Sequence, residues 1–325
     1  MKNTALIVSD LHLNDTLETE YRWGIFNWVR EAKEKHGFQQ LFILGDITDQ
    51  KDRHSGKLIN RGVDELVGLA EALDIYILRG NHDGLDPAWP YFRFLNHFKH
   101  IMFIPETQTI QQDNSVPLHF YAHGYSKYYH PNPKGISFFH ETFRGTRYEN
   151  GQVADGEHFT DPHFGTVCFS GDIHMPQQVG DVIYIGSPYH TRFGDRFDPR
   201  GILLDLNNRS FKSLPISIGK KIILNITSEK DFMDQMVNLD EKSMVRIQIL
   251  DTETKDSTKL FQFLSDHKKE YPSIQQIHII KEGAEQLPTL IQSPKKDTDL
   301  IHEYGAIKNL PKERIAVGVE LHENA

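Results

Sequence analysis

Apolar residues fall into short unbroken runs along the first half of the chain, and each run stops at a polar cluster. Leu6-Ile7-Val8 leads into Ser9-Asp10-Leu11-His12, Leu41-Phe42-Ile43-Leu44 into Gly45-Asp46-Ile47-Thr48-Asp49, and Ile75-Tyr76-Ile77-Leu78 into Arg79-Gly80-Asn81-His82-Asp83. Unbroken rather than alternating runs predict central strands covered on both faces. Between them, residues 23–30 and 63–73 carry apolar positions at helical spacing. Asp10 to Asp46 spans 36 positions and Asp46 to Asn81 spans 35. Each interval holds one β-α-β crossover, which needs roughly 30 or more residues. Parallel strands then carry all three clusters to the carboxyl edge of one sheet, where α/β folds bind ligands.

More strands are expected at 118–121, at 136–139 ending in His140, at 166–169 ending in Ser170-Gly171-Asp172-Ile173-His174, at 182–185 and at 202–206. The stretch 207–215 reads as a boundary. The pattern therefore predicts an α/β domain over residues 1–210. A small α+β cap follows over 216–286, with strands at 221–226, 244–250 and 274–280 alternating with helices at 228–237 and 259–271. Residues 287–325 show no regular pattern and are expected to be a tail available to a partner.

Composition narrows the setting. A single cysteine, Cys168, permits no internal disulfide, in keeping with a reducing compartment. No targeting segment and no apolar run of the ~20 residues a membrane helix needs is visible. The expected location is cytoplasmic (the host cytoplasm for a viral chain), with no membrane partner. The net charge of −9 weighs against nucleic acid, which favours basic surfaces. It does not decide the substrate, because carboxylates around bound cations are neutralised and basic patches can be local.

The strand-end residues suit phosphoester hydrolysis. Two cations about 3.5–4 Å apart can activate a nucleophile and stabilise charge on phosphate oxygens. They need hard oxygen and imidazole ligands and one shared carboxylate. Asp10 and His12, one residue apart at a strand end, point the same way and can grip one ion. Asp46 is the natural bridging carboxylate, and Asn81 offers a neutral oxygen. His140, Asp172 and His174 can complete the two shells, with His123 a rival to His140. His82 is the candidate for protonating the leaving oxygen, Asp83 for orienting its ring, and Asp49 for support behind the ligands. Each short motif alone is ordinary turn chemistry; the ordered series at strand ends is what carries specificity.

That series, Asp10-x-His12, Gly45-Asp46-x-x-Asp49, Gly80-Asn81-His82-Asp83, His140 and Gly171-x-x-His174, resembles the calcineurin-like metallophosphoesterases over about the first 205 residues. The resemblance implies a four-layer α-β-β-α sandwich and two divalent metals, most often manganese, with magnesium the alternative. Residues 184–195 and 201–204, with the small cap, look like the SbcD group of repair and recombination nucleases, and the compact length is similar to that of its phage members. This implies a DNA exonuclease and endonuclease working with an SbcC-like ATPase, with a homodimer an allowed assembly. By the same resemblance Asp10, His12, Asp46 and His174 hold one metal, Asp46, Asn81, His140 and Asp172 the other, and His82 is catalytic.

Two positions depart from that pattern. Asp172 stands where histidine is usual, favouring a harder ion. His190 stands where arginine is frequent and is itself, with Arg192, a candidate for a phosphate contact or for support behind the ligands, with Arg196 a further substitute. The competing functions are a phosphodiesterase for cyclic or other small nucleotides, which needs no cap, and a non-catalytic scaffold, which retention of every ligand disfavours. Gln50-Lys51 and Asp83 stand where a protein phosphatase has Arg-Gly and glutamate.

Overall fold

The computed structural model describes residues 3–281, apart from 112–115, 130–133, 157, 238, 240–242 and 252–253. The tail expected over 287–325 lies outside the described residues.

Two six-stranded sheets face each other. The first comprises β1 (Thr4–Val8), β2 (Gln40–Leu44), β3 (Asp74–Leu78) and β4 (Ile101–Ile104), all parallel. It is extended by antiparallel β11 (Arg200–Asp205) and β12 (Phe211–Pro215) in the order β12-β11-β1-β2-β3-β4. The second comprises β5 (Thr107–Ile110), β6 (Leu118–Tyr121), β7 (Ile136–His140), β8 (Cys168–Gly171), β9 (Gln177–Val179) and β10 (Val182–Tyr184), ordered β5-β6-β7-β8-β10-β9. Its four inner strands are parallel. The stretch read as a boundary at 207–215 is thus largely strand: β12 completes the first sheet.

The unbroken apolar runs have the predicted cause. In β1, Ala5 and Ile7 enter the layer between the sheets with Phe42, Phe120 and Phe138. Leu6 and Val8 point the other way, into the layer beneath helices α1 (Gly24–His36) and α2 (Gly56–Ala70). Both faces are therefore dry, and alternation would bury polar side chains. The helix ends are local chemistry. Gly37 closes α1 in a left-handed conformation (φ 69°), and Ser55 Oγ caps α2 by accepting from Leu58 N at 3.0 Å. The outer face of the second sheet is packed by aromatic residues of irregular segments, among them Tyr129, Tyr148 and Phe164.

Residues 221–281 form a separate three-stranded parallel sheet, β13 (Lys221–Ile226), β14 (Met244–Asp251) and β15 (Ile274–Lys281), connected through α3 (Glu229–Met236) and α4 (Thr254–His267). Its own core holds Leu224, Ile226, Phe232, Val245, Ile247 and Leu264. Among the described residues no helix is long and apolar enough to cross a membrane.

Candidate metal centre

The sheet pairing continues past the strand ends, and this places the site. Asp10 N donates to Gly45 O (3.1 Å), His12 N to Asp46 O (2.9 Å) and Leu13 N to Ile47 O (2.8 Å). The loops carrying Asp10, His12 and Asp46 therefore run side by side. From the facing sheet, His140 ends β7 opposite Gly171 of β8, and Asp172 N donates to Asp10 Oδ1 (3.0 Å).

Asp10, His12, Asp46, Asn81, His82, His140, Asp172 and His174 come together there. Nε2 of His12 lies 2.9 Å from Nε2 of His174 and 3.5 Å from Asp46 Oδ2. Nε2 of His140 lies 3.1 Å from Asn81 Oδ1, 3.4 Å from Asp46 Oδ1 and 3.7 Å from Asp172 Oδ1. Three overlapping groupings of ligand atoms lie within 4.8 Å of one another: Asp10, His12 and His174; His12, Asp46 and His82; Asp10, Asp46 and His140. Asp10, His12 and Asp46 each belong to two of them, so both buried carboxylates stand between neighbouring ligand sets.

Imidazole nitrogens and carboxylate oxygens crowd inward. Leu44 O lies 2.6 Å from His140 Nδ1, so that nitrogen carries the proton and Nε2 is bare. In the orientation that satisfies its neighbours, the Asn81 amide nitrogen donates to both Asp46 oxygens (2.9 and 3.0 Å) and to that bare nitrogen (3.1 Å). Buried Asp10 Oδ2 has no hydrogen-bond partner. An unpartnered buried carboxylate oxygen among clustered imidazole nitrogens and carboxylates is a ligand atom without a hydrogen-bond donor, so the residues present fit divalent metal ions.

Electrostatics agree. Burial, partly offset by His140, raises the Asp10 carboxyl to about 7. Burial and then the Asp83 charge push Asp46 well above the usual carboxylate range. Burial lowers His12, and burial with the neighbouring His12 lowers His174 to about 4. Carboxylates that hold protons beside imidazoles that refuse them mark a centre short of positive charge.

Behind the ligands stands a residue with no sequence motif. Arg22, buried at the end of a 3-10 turn (Leu17–Trp23), bonds the carbonyl of His12 and, at 2.7 Å, Asp49 Oδ2. Asp49 Oδ1 faces His12 Nδ1 at 3.3 Å, and the Asp49 carbonyl lies 2.6 Å from His82 Nδ1. One clamp thus orients both a metal-facing imidazole and the candidate proton donor. Thr142 and Glu149 are likewise invisible in the sequence pattern. Thr142 Oγ1 donates to Asp172 Oδ2, and Glu149 Oε1 lies 3.6 Å from His174 Nδ1.

Two expectations need correction. Asp83 does not orient His82: its fully buried carboxylate accepts from the backbone N–H groups of Asp46 (2.9 Å), Ile47 (2.9 Å) and Gly80 (2.7 Å), tying the second signature loop to the third. His190 is not a phosphate contact. It is buried, with Phe197 O 2.8 Å from Nε2 and Lys221 N donating to Nδ1 at 3.2 Å, so it fastens β13 to the loop after Tyr189. Arg192 is exposed and close enough to act electrostatically on His174. His123 lies one ring behind His140, with centroids 6.1 Å apart, beside Glu141.

A metal-dependent phosphoester hydrolase is the class that this fold and this donor set define. Residues 4–176 match the calcineurin-like phosphoesterases, and the chain belongs to that family. No curated protein matches it.

Proposed function

We propose that the chain is a manganese-dependent DNA nuclease that works with an SbcC-like ATPase. The observation that carries this reading is the placement of residues 186–195, the segment resembling the SbcD group. Ser9 Oγ donates to Gly186 O, Ser187 Oγ to Asp10 O (both 3.2 Å), and Tyr189 OH to Leu11 O, so the segment lies against the first signature loop. Its far end meets the cap. Lys221 Nζ donates to Thr191 O (3.0 Å), and Lys221 and Arg246 lie 5.5 and 4.4 Å from the Phe193 ring centroid. Cations interleaved with an aromatic ring next to the hydrolytic site suit a polyanion carrying bases, on a chain whose net charge is −9.

In this reading Asp10, His12, Asp46 and His174 hold one ion, and Asp46, Asn81, His140 and Asp172 hold the other. The ions supply a nucleophile at neutral pH and charge stabilisation at the phosphate. The chain does the rest. Arg22 and Asp49 fix the His12 ring. The Asp49 carbonyl accepts from Nδ1 of His82, so Nε2 delivers a proton to the leaving oxygen from the doubly protonated ring, which is left as the neutral Nδ1–H tautomer.

The test offers linear duplex DNA, single-stranded DNA and cyclic nucleotides to the manganese-loaded protein, with and without an SbcC-like partner, beside His82→Ala. DNA cleavage that His82→Ala abolishes is expected. Hydrolysis of cyclic nucleotides with no DNA cleaved sinks the nuclease reading, and undiminished activity in the variant sinks the role of His82.

A further inference from the structure

The loop that leaves His82 is built to display an aromatic ring. Residues 84–90 follow Asp83 directly and return to it: Tyr91 N donates to Asp83 O at 3.0 Å. The loop is also held from within and from its neighbour. Ala88 N donates to Asp86 Oδ1 (2.8 Å), Trp89 N to Asp86 O (3.0 Å), and Leu85 N to the Asp52 carboxylate (3.2 and 3.4 Å). Gly84, at φ 146°, has no room for a side chain, since a Cβ there would lie 3.0 Å from Pro90 Cα. The two ends of the loop are therefore pressed together.

A loop so constrained would ordinarily turn its apolar side chains inward. Here Leu85 is 70% and Trp89 75% exposed. Scattered exposed apolar residues need no explanation, but two large ones on one pinned loop beside a hydrolytic site do. The Arg93 guanidinium lies 5.9 Å from the Trp89 ring centroid. The closing bond at Asp83 bounds the distance. With Tyr91 N on Asp83 O and two further residues to Trp89, the Cα atoms of Trp89 and Asp83 are at most about 14 Å apart. The indole extends the reach.

We propose that Trp89 is the stacking platform of a nucleobase subsite beside the phosphoester site, with Arg93 available to a neighbouring phosphate. This rests on the part of the proposed function that makes the substrate a nucleotide ester. A base is favoured over an apolar peptide because the site next door takes a phosphoester. An exposed π face flanked by a guanidinium is the surface on which unpaired bases stack, whatever their sequence.

The test compares kcat/KM of the full-length manganese-loaded chain on a base-bearing ester, thymidine 5′-(p-nitrophenyl) phosphate, with that on the base-free bis(p-nitrophenyl) phosphate. Wild type, Trp89→Phe and Trp89→Ala are run together, with a short single-stranded oligonucleotide as a third substrate. In Trp89→Ala the ratio of base-bearing to base-free kcat/KM falls roughly 5- to 150-fold, the range for loss of one stacked base. The loss appears mainly in KM, and Trp89→Phe restores most of it. An unchanged ratio overturns the platform, whether both esters are lost equally or neither is. If wild type hydrolyses the thymidine ester and spares the oligonucleotide, the nuclease reading fails while the platform is judged on the ratio alone.

Discussion

Replacing Gly80 with alanine tests the site through one methyl group. Gly80 precedes Asn81, and a Cβ built on it would lie 2.2 Å from Asp46 Oδ1, 2.6 Å from Asp46 N and 2.9 Å from His140 Cε1. Ordinary contact begins at 3.4 Å, so the carboxylate must retreat by about 1 Å or more. The backbone nitrogen cannot follow freely, because Asp83 Oδ2 holds it at 2.9 Å while also accepting from Gly80 N at 2.7 Å. Overpacking of this kind costs about 1–3 kcal/mol. Gly80 has no positive φ, so the whole effect is steric. The displaced group is one of two carboxylates, the other being Asp10, that each belong to two ligand groupings. We therefore expect manganese affinity to fall at least 10- to 100-fold, the loss typical of disturbing a ligand's support. Calorimetric titration of metal into the metal-free protein reads the affinity, and urea unfolding in EDTA reads the stability. Wild-type affinity in a folded Gly80→Ala protein would refute the assignment of Asp46 to the centre.

Asp83→Asn keeps at most two of the three backbone N–H bonds and turns an amide donor on a third. We expect about 1–3 kcal/mol lost in urea unfolding even without metal; an unchanged midpoint contradicts a structural Asp83. Arg22→Met keeps the buried stem but frees Asp49, and lowers manganese affinity about 10- to 100-fold; unaltered affinity removes Arg22 from the clamp. His140→Ala abolishes tight binding at one of the two ion positions, whereas His123→Ala leaves both, and the reverse result in a stoichiometric titration makes His123 the ligand. The Asp10 carboxyl, raised by burial to about 7 from an ordinary 3.8, stabilises the metal-free fold fully below about pH 4, and that contribution is lost as pH rises through about 7. At pH 6 manganese must displace this proton, so the binding heat depends on the buffer's ionisation enthalpy; heats identical across buffers contradict it.

What the sequence disclosed follows from which strands are buried on both faces. β1 and β2 are buried at every position, so their apolar runs are unbroken, and the spacing between them reports the crossovers. β5, β9 and β12 are edge strands with mostly exposed or half-buried residues, and they leave no run to read. For this reason the stretch that holds β12 reads as a boundary in the sequence. The first turns of α2 are also largely exposed, and the helical pattern surfaces only from Val63. Asn81 and the three aspartates announce themselves at strand ends. Arg22 does not, because its partners are a carbonyl and a carboxylate that only the folded loops bring together. Choosing between His140 and His123 needed the pairing of β7 with β8, which no spacing along the chain contains.

Backbone conformation at the ligands was equally hidden. Asp10 (φ 55°), His12 (41°), Asp46 (54°) and Asp172 (80°) all occupy the left-handed region, which costs of order 1–3 kcal/mol per non-glycine residue. Among the described non-glycine residues only His100 and Arg209 have a positive φ outside the site. Aspartate tolerates such a conformation better than most residues, so the sequence gives no warning of it. Only an over-determined framework holds four such residues in one place. Here the framework is the pairing of the loops past β1 and β2, the Asp83 carboxylate across Asp46, Ile47 and Gly80, and the Asp172 N bond to Asp10. The strain and the convergence of ligands thus have one origin: the sandwich holds the loops where the cations need them, and the local backbone yields.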